Sequence, residues 1–134
     1  SLLRVGMMNK NRPKHLALHK IKLPLPGFVS ILHRISGALL FLALPFLLWL
    51  WQASLQSIVT YTQLLDFMRH PLSKIALLGL LWAFLLHLCA GIRYLLLDLD
   101  VGTEKEQSKT SAGVVLAVSL ALTAIIALKL FGAF

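Results

Sequence analysis

The sequence predicts an all-α membrane protein of three transmembrane helices. Three observations lead there: long runs with almost no charge, too little charge for a soluble surface, and basic residues crowded at one end. The 134-residue chain is 58% hydrophobic and only 13% charged, where a soluble domain carries roughly 25% charged residues. A domain of this size cannot hide that much apolar surface from water, but a bilayer can. The net charge is +8. Arg4, Lys10, Arg12, Lys14, Lys20 and Lys22 all precede position 28, with no acidic residue among them. A nucleic-acid binder can be this basic, but it would not carry the apolar runs, so membrane lipid is the expected partner and nucleic acid is not.

The runs are Ile35–Trp51, Ile75–Ile92 (interrupted only by His87) and Thr110–Leu128. As helices each extends roughly 26–28 Å, and a few flanking residues complete a bilayer crossing. This predicts spans at about 30–52, 72–96 and 109–131. Backbone polar groups in lipid must be satisfied within the segment, which requires helix. No run alternates with period two, which argues against a β-barrel. Residues 1–27 read as a basic segment and 28–134 as one three-helix domain. The first 27 residues lack the apolar core and cleavage site of a signal peptide. Pro24, Pro26 and Gly27 break the chain before span one, with Pro26 suited to a first helical turn. Pro45 lies within that span, and Trp49 and Trp51 suit its far interface. Residues 52–71 read as a polar first loop with room for a short interfacial helix, and 98–109 as a short charged second loop. Lysine and arginine near the spans favour the N-terminal side and the second loop. This predicts that these face the cytoplasm or matrix, and that the first loop and C-terminus face outward.

Lipid does not explain every polar residue. Span one opens with Ser30, His33, Arg34, Ser36 and Gly37. Ser30, Arg34 and Gly37 fall within about 60° of one another on a helix, with His33 at the edge of that face. A hydroxyl, an imidazole and a guanidinium together can bind a carboxylate or a carbonyl. The competing reading has Arg34 snorkelling to lipid phosphate and His33 among the headgroups. On span two, His87, Gly91, Tyr94 and Asp98 share one face to within about 40°. His87 is expected roughly 13 Å deep. Haem ligation, an interhelical hydrogen bond and proton relay all remain open for an imidazole there. Gly91 leaves room for a flat macrocycle or a close helix contact. Arg93 points off that face and is expected to snorkel or to pair with Asp98 or Asp100. His15, His19 and His70 are expected in solvent. Ser111, Ala112 and Gly113 suit a close helix contact. Cys89 reads as a small buried helix residue, and a single cysteine excludes a disulfide framework. There is no Cys-x-x-Cys-His for covalent haem attachment, no catalytic triad, no carboxylate pair and no phosphate loop.

Together, Arg12-Pro13 with Leu16, then Ser30-Ile31-Leu32-His33-Arg34-Ile35-Ser36-Gly37, then His87-x-x-x-Gly91-Ile92-Arg93 with Asp98, carry a resemblance. From about residue 10 onward the chain resembles the cytochrome b556 subunits of succinate dehydrogenase, the larger membrane anchors of respiratory complex II. The resemblance implies a non-catalytic membrane subunit that forms a helical bundle with a second small anchor. A flavoprotein subunit would oxidise succinate and an iron–sulfur subunit would pass electrons to ubiquinone. The cofactor implied is haem b, shared with the second anchor, with ubiquinone as substrate. His87 matches the axial ligand to haem iron, Ser30, Ile31 and Arg34 the quinone site, and His33 and Arg34 the neighbours of the haem propionates. Tyr94 departs from the pattern, which commonly has histidine there. The implied location is a bacterial inner membrane, with the mitochondrial inner membrane as alternative. The rival functions are the anchor of a quinol:fumarate reductase and a cofactor-free assembly or transport subunit.

The chemistry is consistent with the resemblance. Anionic propionates suit the basic side, and Ser30 and Arg34 can donate to quinone carbonyls. A low-spin b haem needs two imidazoles. The only other span histidine, His33, is expected at the membrane surface, too far from His87 to share an iron. The second ligand is therefore expected from another polypeptide, or less simply from a second copy of this chain.

Overall fold

The computed structural model describes residues 24–132, which form four helices. Helix α1 spans Leu25–Gln56, α2 Ile58–Arg69, α3 Pro71–Asp98 and α4 Lys105–Leu130. Helices α1, α3 and α4 are each long and apolar enough to cross a membrane. The described chain contains no strand, so the all-α membrane architecture holds. The basic segment before residue 24 lies outside the described residues.

Each boundary has a local cause. Pro26 sits in the first turn of α1, where its missing N–H costs nothing. The helix therefore begins at Leu25 and not, as expected, near residue 30. Pro45 is carried inside it. The predicted first loop is mostly helical. Helix α1 runs on to Gln56, and Ser57 then starts α2 through a reciprocal cap: its hydroxyl accepts the Thr60 N–H at 3.1 Å, and its own N–H donates to Thr60 Oγ1 at 3.1 Å. His70 caps α3 by accepting the Leu72 N–H at 3.1 Å on Nδ1, so this exposed imidazole has a structural task. Helix α3 ends with Val101 N–H donating to Leu96 O at 2.9 Å and Asp100 N–H to Leu97 O at 3.0 Å. That pattern needs a left-handed residue, and Asp100 supplies it at φ 59°.

The three long helices run up, down and up. A Cβ on Gly113 would lie 3.5 Å from Leu25, and Arg93 bonds Ser108 and Ser111, so Leu25, Asp98 and Lys105 mark one end, here called proximal. Lys74 Nζ donates to Leu130 O at 3.3 Å at the opposite, distal end. Val29, Leu86, Ala90, Ala112 and Val115 form the core, with Leu32, Trp82, Cys89, Tyr94 and Leu116 packed around it. Ala90 and Ala112 are fully buried, and small residues of this kind let helix backbones approach. Ala112 and Gly113 thus form the expected close contact, and Cys89 is half-buried beside the core. Most large apolar side chains point outward, among them Phe41, Leu42, Trp51 and Leu95, as a lipid-facing surface requires.

Candidate functional site

The site is built where α1 and α3 cross near Gly37. A Cβ at Gly37 would lie 2.8 Å from Cε1 of His87 and 3.3 Å from its Nδ1. Only glycine admits the imidazole at that point. Nδ1 of His87 lies 3.1 Å from the main-chain oxygen of His33 and 3.3 Å from Ser36 Oγ. A carbonyl only accepts, so Nδ1 carries the proton and donates to it. In the neutral ring Nε2 then keeps its lone pair. Ser36, 3% exposed, also donates to the His33 oxygen, at 2.9 Å. Two donors from different helices thus converge on one carbonyl and lock the ring.

This arrangement fits a haem ligand. Iron needs a neutral imidazole with one free nitrogen, and metal-binding histidines characteristically donate their other N–H to a carbonyl or carboxylate. The Nδ1 contact of His87 with the His33 carbonyl meets the second condition, and its neutral tautomer would leave Nε2 available for the first. The interhelical hydrogen bond, one of the alternatives for His87, is the one present in the structure, and it engages Nδ1 rather than Nε2.

His33 stands elsewhere than the sequence led us to expect. Its ring stacks on that of His87 with centroids 4.3 Å apart and planes 2° from parallel. The expected depth offset is absent. The error came from measuring span one from its last charge, Arg34, whereas the helix starts at Leu25. His33 lies eight residues into α1 and His87 eleven residues from the end of α3, which brings the two antiparallel positions nearly level. Level rings still cannot share an iron in this geometry. Two axial imidazoles with bonds of about 2 Å hold their centroids roughly 6 Å apart, with the nitrogens facing each other. Stacked faces direct the lone pairs sideways.

On the proximal side of the pair lies Tyr94, its ring 5.1 Å from that of His33 and tilted 59°. The shared face of His87 and Tyr94 therefore does turn toward α1. Gly91 leaves ordinary contact space: a Cβ there would be 3.8 Å from His33 Nε2. Asp98, the fourth member of that face, is exposed. Arg93 neither snorkels nor pairs with an aspartate. It is 5% exposed. Its Nε donates to Ser111 Oγ at 2.9 Å, and its Nη2 to Ser108 Oγ at 2.9 Å and Ser108 O at 3.3 Å. Helix α4 packs directly on α3 and offers hydroxyls closer than any carboxylate, which overrides the surface. The guanidinium also lies 5.5 Å from the Tyr94 ring centroid.

Of the other candidate residues, Ser30 is half-buried, while Ile31 and Arg34 are exposed. All three lie within three turns of the α1 start, on the proximal side of His33 or beside it. Ser36 and Gly37 contact His87 and Arg34 does not. Sequence reasoning noted Ser36 and Gly37 but missed their role, although two small residues beside a histidine on a span are a usable sign of a crossing point.

Comparison with known proteins gives a consistent result. Residues 8–126 match the family described as succinate dehydrogenase/fumarate reductase transmembrane subunit. The chain is 37% identical to a succinate dehydrogenase cytochrome b556 subunit of Coxiella burnetii over 84% of its length and 90% of the relative's. It is 34% identical to that of Paracoccus denitrificans over 90% and 93%. It is 32% identical to that of Rickettsia felis over 81% and 83%.

Proposed function

This chain belongs to the succinate dehydrogenase/fumarate reductase transmembrane subunit family, and on that premise we propose that it is the cytochrome b556-type anchor of a succinate:ubiquinone oxidoreductase. It holds one side of a b haem and forms part of the quinone-reduction site. The observation that carries this reading is the Nδ1 bond of His87 to the His33 oxygen at 3.1 Å, which leaves Nε2 free.

Each residue has a distinct task. His87 binds haem iron through Nε2, and the His33 carbonyl and Ser36 fix its plane and raise its basicity. His33 and Arg34 face the propionates. Ser30 and Arg34 donate to the quinone carbonyls as they gain negative charge, and exposed Ile31 offers an apolar edge to the quinone ring. Haem, when bound, supplies a one-electron relay within the membrane. A second small anchor would supply the other imidazole, because His33 is stacked where it cannot serve. Succinate chemistry resides on a flavoprotein subunit, and an iron–sulfur subunit delivers the electrons. The bacterial relatives support a bacterial cytoplasmic membrane, with the proximal end inside.

The test is a reduced-minus-oxidised visible spectrum of the complex purified with its co-expressed partners. We expect a b-type α-band, lost in His87→Leu with the other subunits still assembled. A wild-type complex without the band would leave a cofactor-free subunit as the answer. The family description also covers fumarate reductases, so the reverse direction is the second reading; the haem potential and the native quinone separate the two. For topology, protease added from inside is expected to cut within residues 99–104, and protease from outside near Ser57 or His70, the breaks between helices. The opposite pattern overturns the orientation.

A further inference from the structure

Tyr94 carries a buried hydroxyl with no hydrogen-bond partner among the described residues. Leaving a buried donor unpaired is costly, and a buried tyrosine normally finds an acceptor. The ring cannot readily swing out to find one. His33 lies against it on one side and the Arg93 guanidinium on another. Arg93 is in turn tied to α4 through Ser108 and Ser111. The hydroxyl is therefore a preset donor lacking an acceptor in this chain, beside a cation that favours an anionic one.

Tyr94 shares a helix face with His87 and lies two turns, roughly 10 Å, nearer the proximal end. Tyr94 therefore stands on the same proximal side of His87 to which the reading above assigns the propionates. Resting on the reading that His87 binds haem, we propose that the Tyr94 hydroxyl donates a hydrogen bond to a haem propionate. A carboxylate is the strongest acceptor class for such a donor. The bond withdraws negative charge from the propionate, and less negative charge near the iron favours the reduced haem. Tyr94 thereby tunes the haem potential without touching the iron.

The experiment uses the assembled complex with Tyr94→Phe, which removes one oxygen and keeps the ring. Haem content is expected to equal wild type, the midpoint potential to fall, and the propionate carboxylate band in redox-difference infrared spectra to shift. Tyr94→His, which restores a ring N–H, is expected to recover part of the potential. If Tyr94→Phe holds haem with unchanged potential and unchanged carboxylate band, the proposal is wrong while the haem reading stands. Loss of haem from Tyr94→Phe would assign the residue to packing and also overturn it. A wild-type complex without haem overturns both readings together.

Discussion

The proximal and distal halves of the same three helices are built differently. In the proximal half, Val29, Ser36, Leu86, Ala90, Arg93, Ala112 and Val115 are buried. Polar groups there bond across helices: Arg93 to Ser108 and Ser111, and His87 to the His33 carbonyl. Beyond Ala83 and Ser119, which sit near the middle, the distal half buries only Leu50. Its large side chains, such as Phe41, Leu42, Trp49 and Trp51, face outward. Cross-helix bonds in the distal half lie at its exposed tip, as from Lys74 to the Leu130 carbonyl, so the helices divide into an end with buried bonds and an end that is mostly outward-facing apolar surface. Apolar residues gain little by choosing protein over lipid, since both are apolar; hydrogen bonds and close backbone approach decide where membrane helices join.

Five substitutions break or sharpen that contrast. The largest effect is expected from Gly37→Val. Its Cβ would meet His87 Cε1 at 2.8 Å, and backbone and ring cannot both hold place. Haem is expected to vanish from the assembled complex, read from its absorbance per protein; retained haem would show that the crossing point is not where the ligand is set. Next come Arg34→Leu and Ser30→Ala. Loss of a charged hydrogen bond is worth about 1.5–3 kcal/mol, so Arg34→Leu should slow quinone reduction roughly ten- to hundredfold, and Ser30→Ala less. Succinate oxidation by a soluble artificial acceptor should persist in both; a parallel fall of both activities in a complete complex would remove these residues from the quinone site.

Arg93→Leu is a stability test of the bonded end. It strips two serines of their donor and is expected to cost about 2 kcal/mol, with faster proteolysis at residues 99–104 in detergent. An unchanged melting temperature would mean that the guanidinium ties nothing together. At the other extreme, Phe41→Leu replaces a side chain that is 75% exposed. Its expected effect lies within about 0.5 kcal/mol, unless a partner subunit covers that face, in which case assembly and not melting will register it.

Sequence reading worked where a signal was local and failed where a neighbouring helix decided. The three spans follow from uncharged length alone, and His87 stands out because an imidazole in an apolar run has few reasons to be there. The depth of His33 was misjudged because charge was taken as the membrane boundary, while Leu25, Phe28, Val29, Ile31 and Leu32 extend the apolar helix past it. Arg93 was sent to the surface because its own helix offers only Asp98, and its true partners lie on α4. Ser57 and Thr60 did carry a capping pattern for α2, but with threonine in the place where glutamate or glutamine is the familiar mark. Ser36 drew little notice, since its importance exists only once α3 brings His87 against it.

The tie between Arg93 and α4 bears on how the protein is made. A buried guanidinium in a membrane-spanning helix is costly to leave alone, and its hydroxyl partners, Ser108 and Ser111, are synthesised after it. Until α4 emerges from the ribosome, the hydrogen-bond partners of that charge are missing. The hairpin of α3 and α4, joined through the turn at Asp100 and Gly102, is therefore the natural unit of insertion. The two helices are expected to leave the insertion machinery as a pair, and a chain halted between them should hold α3 in a protected, unreleased state.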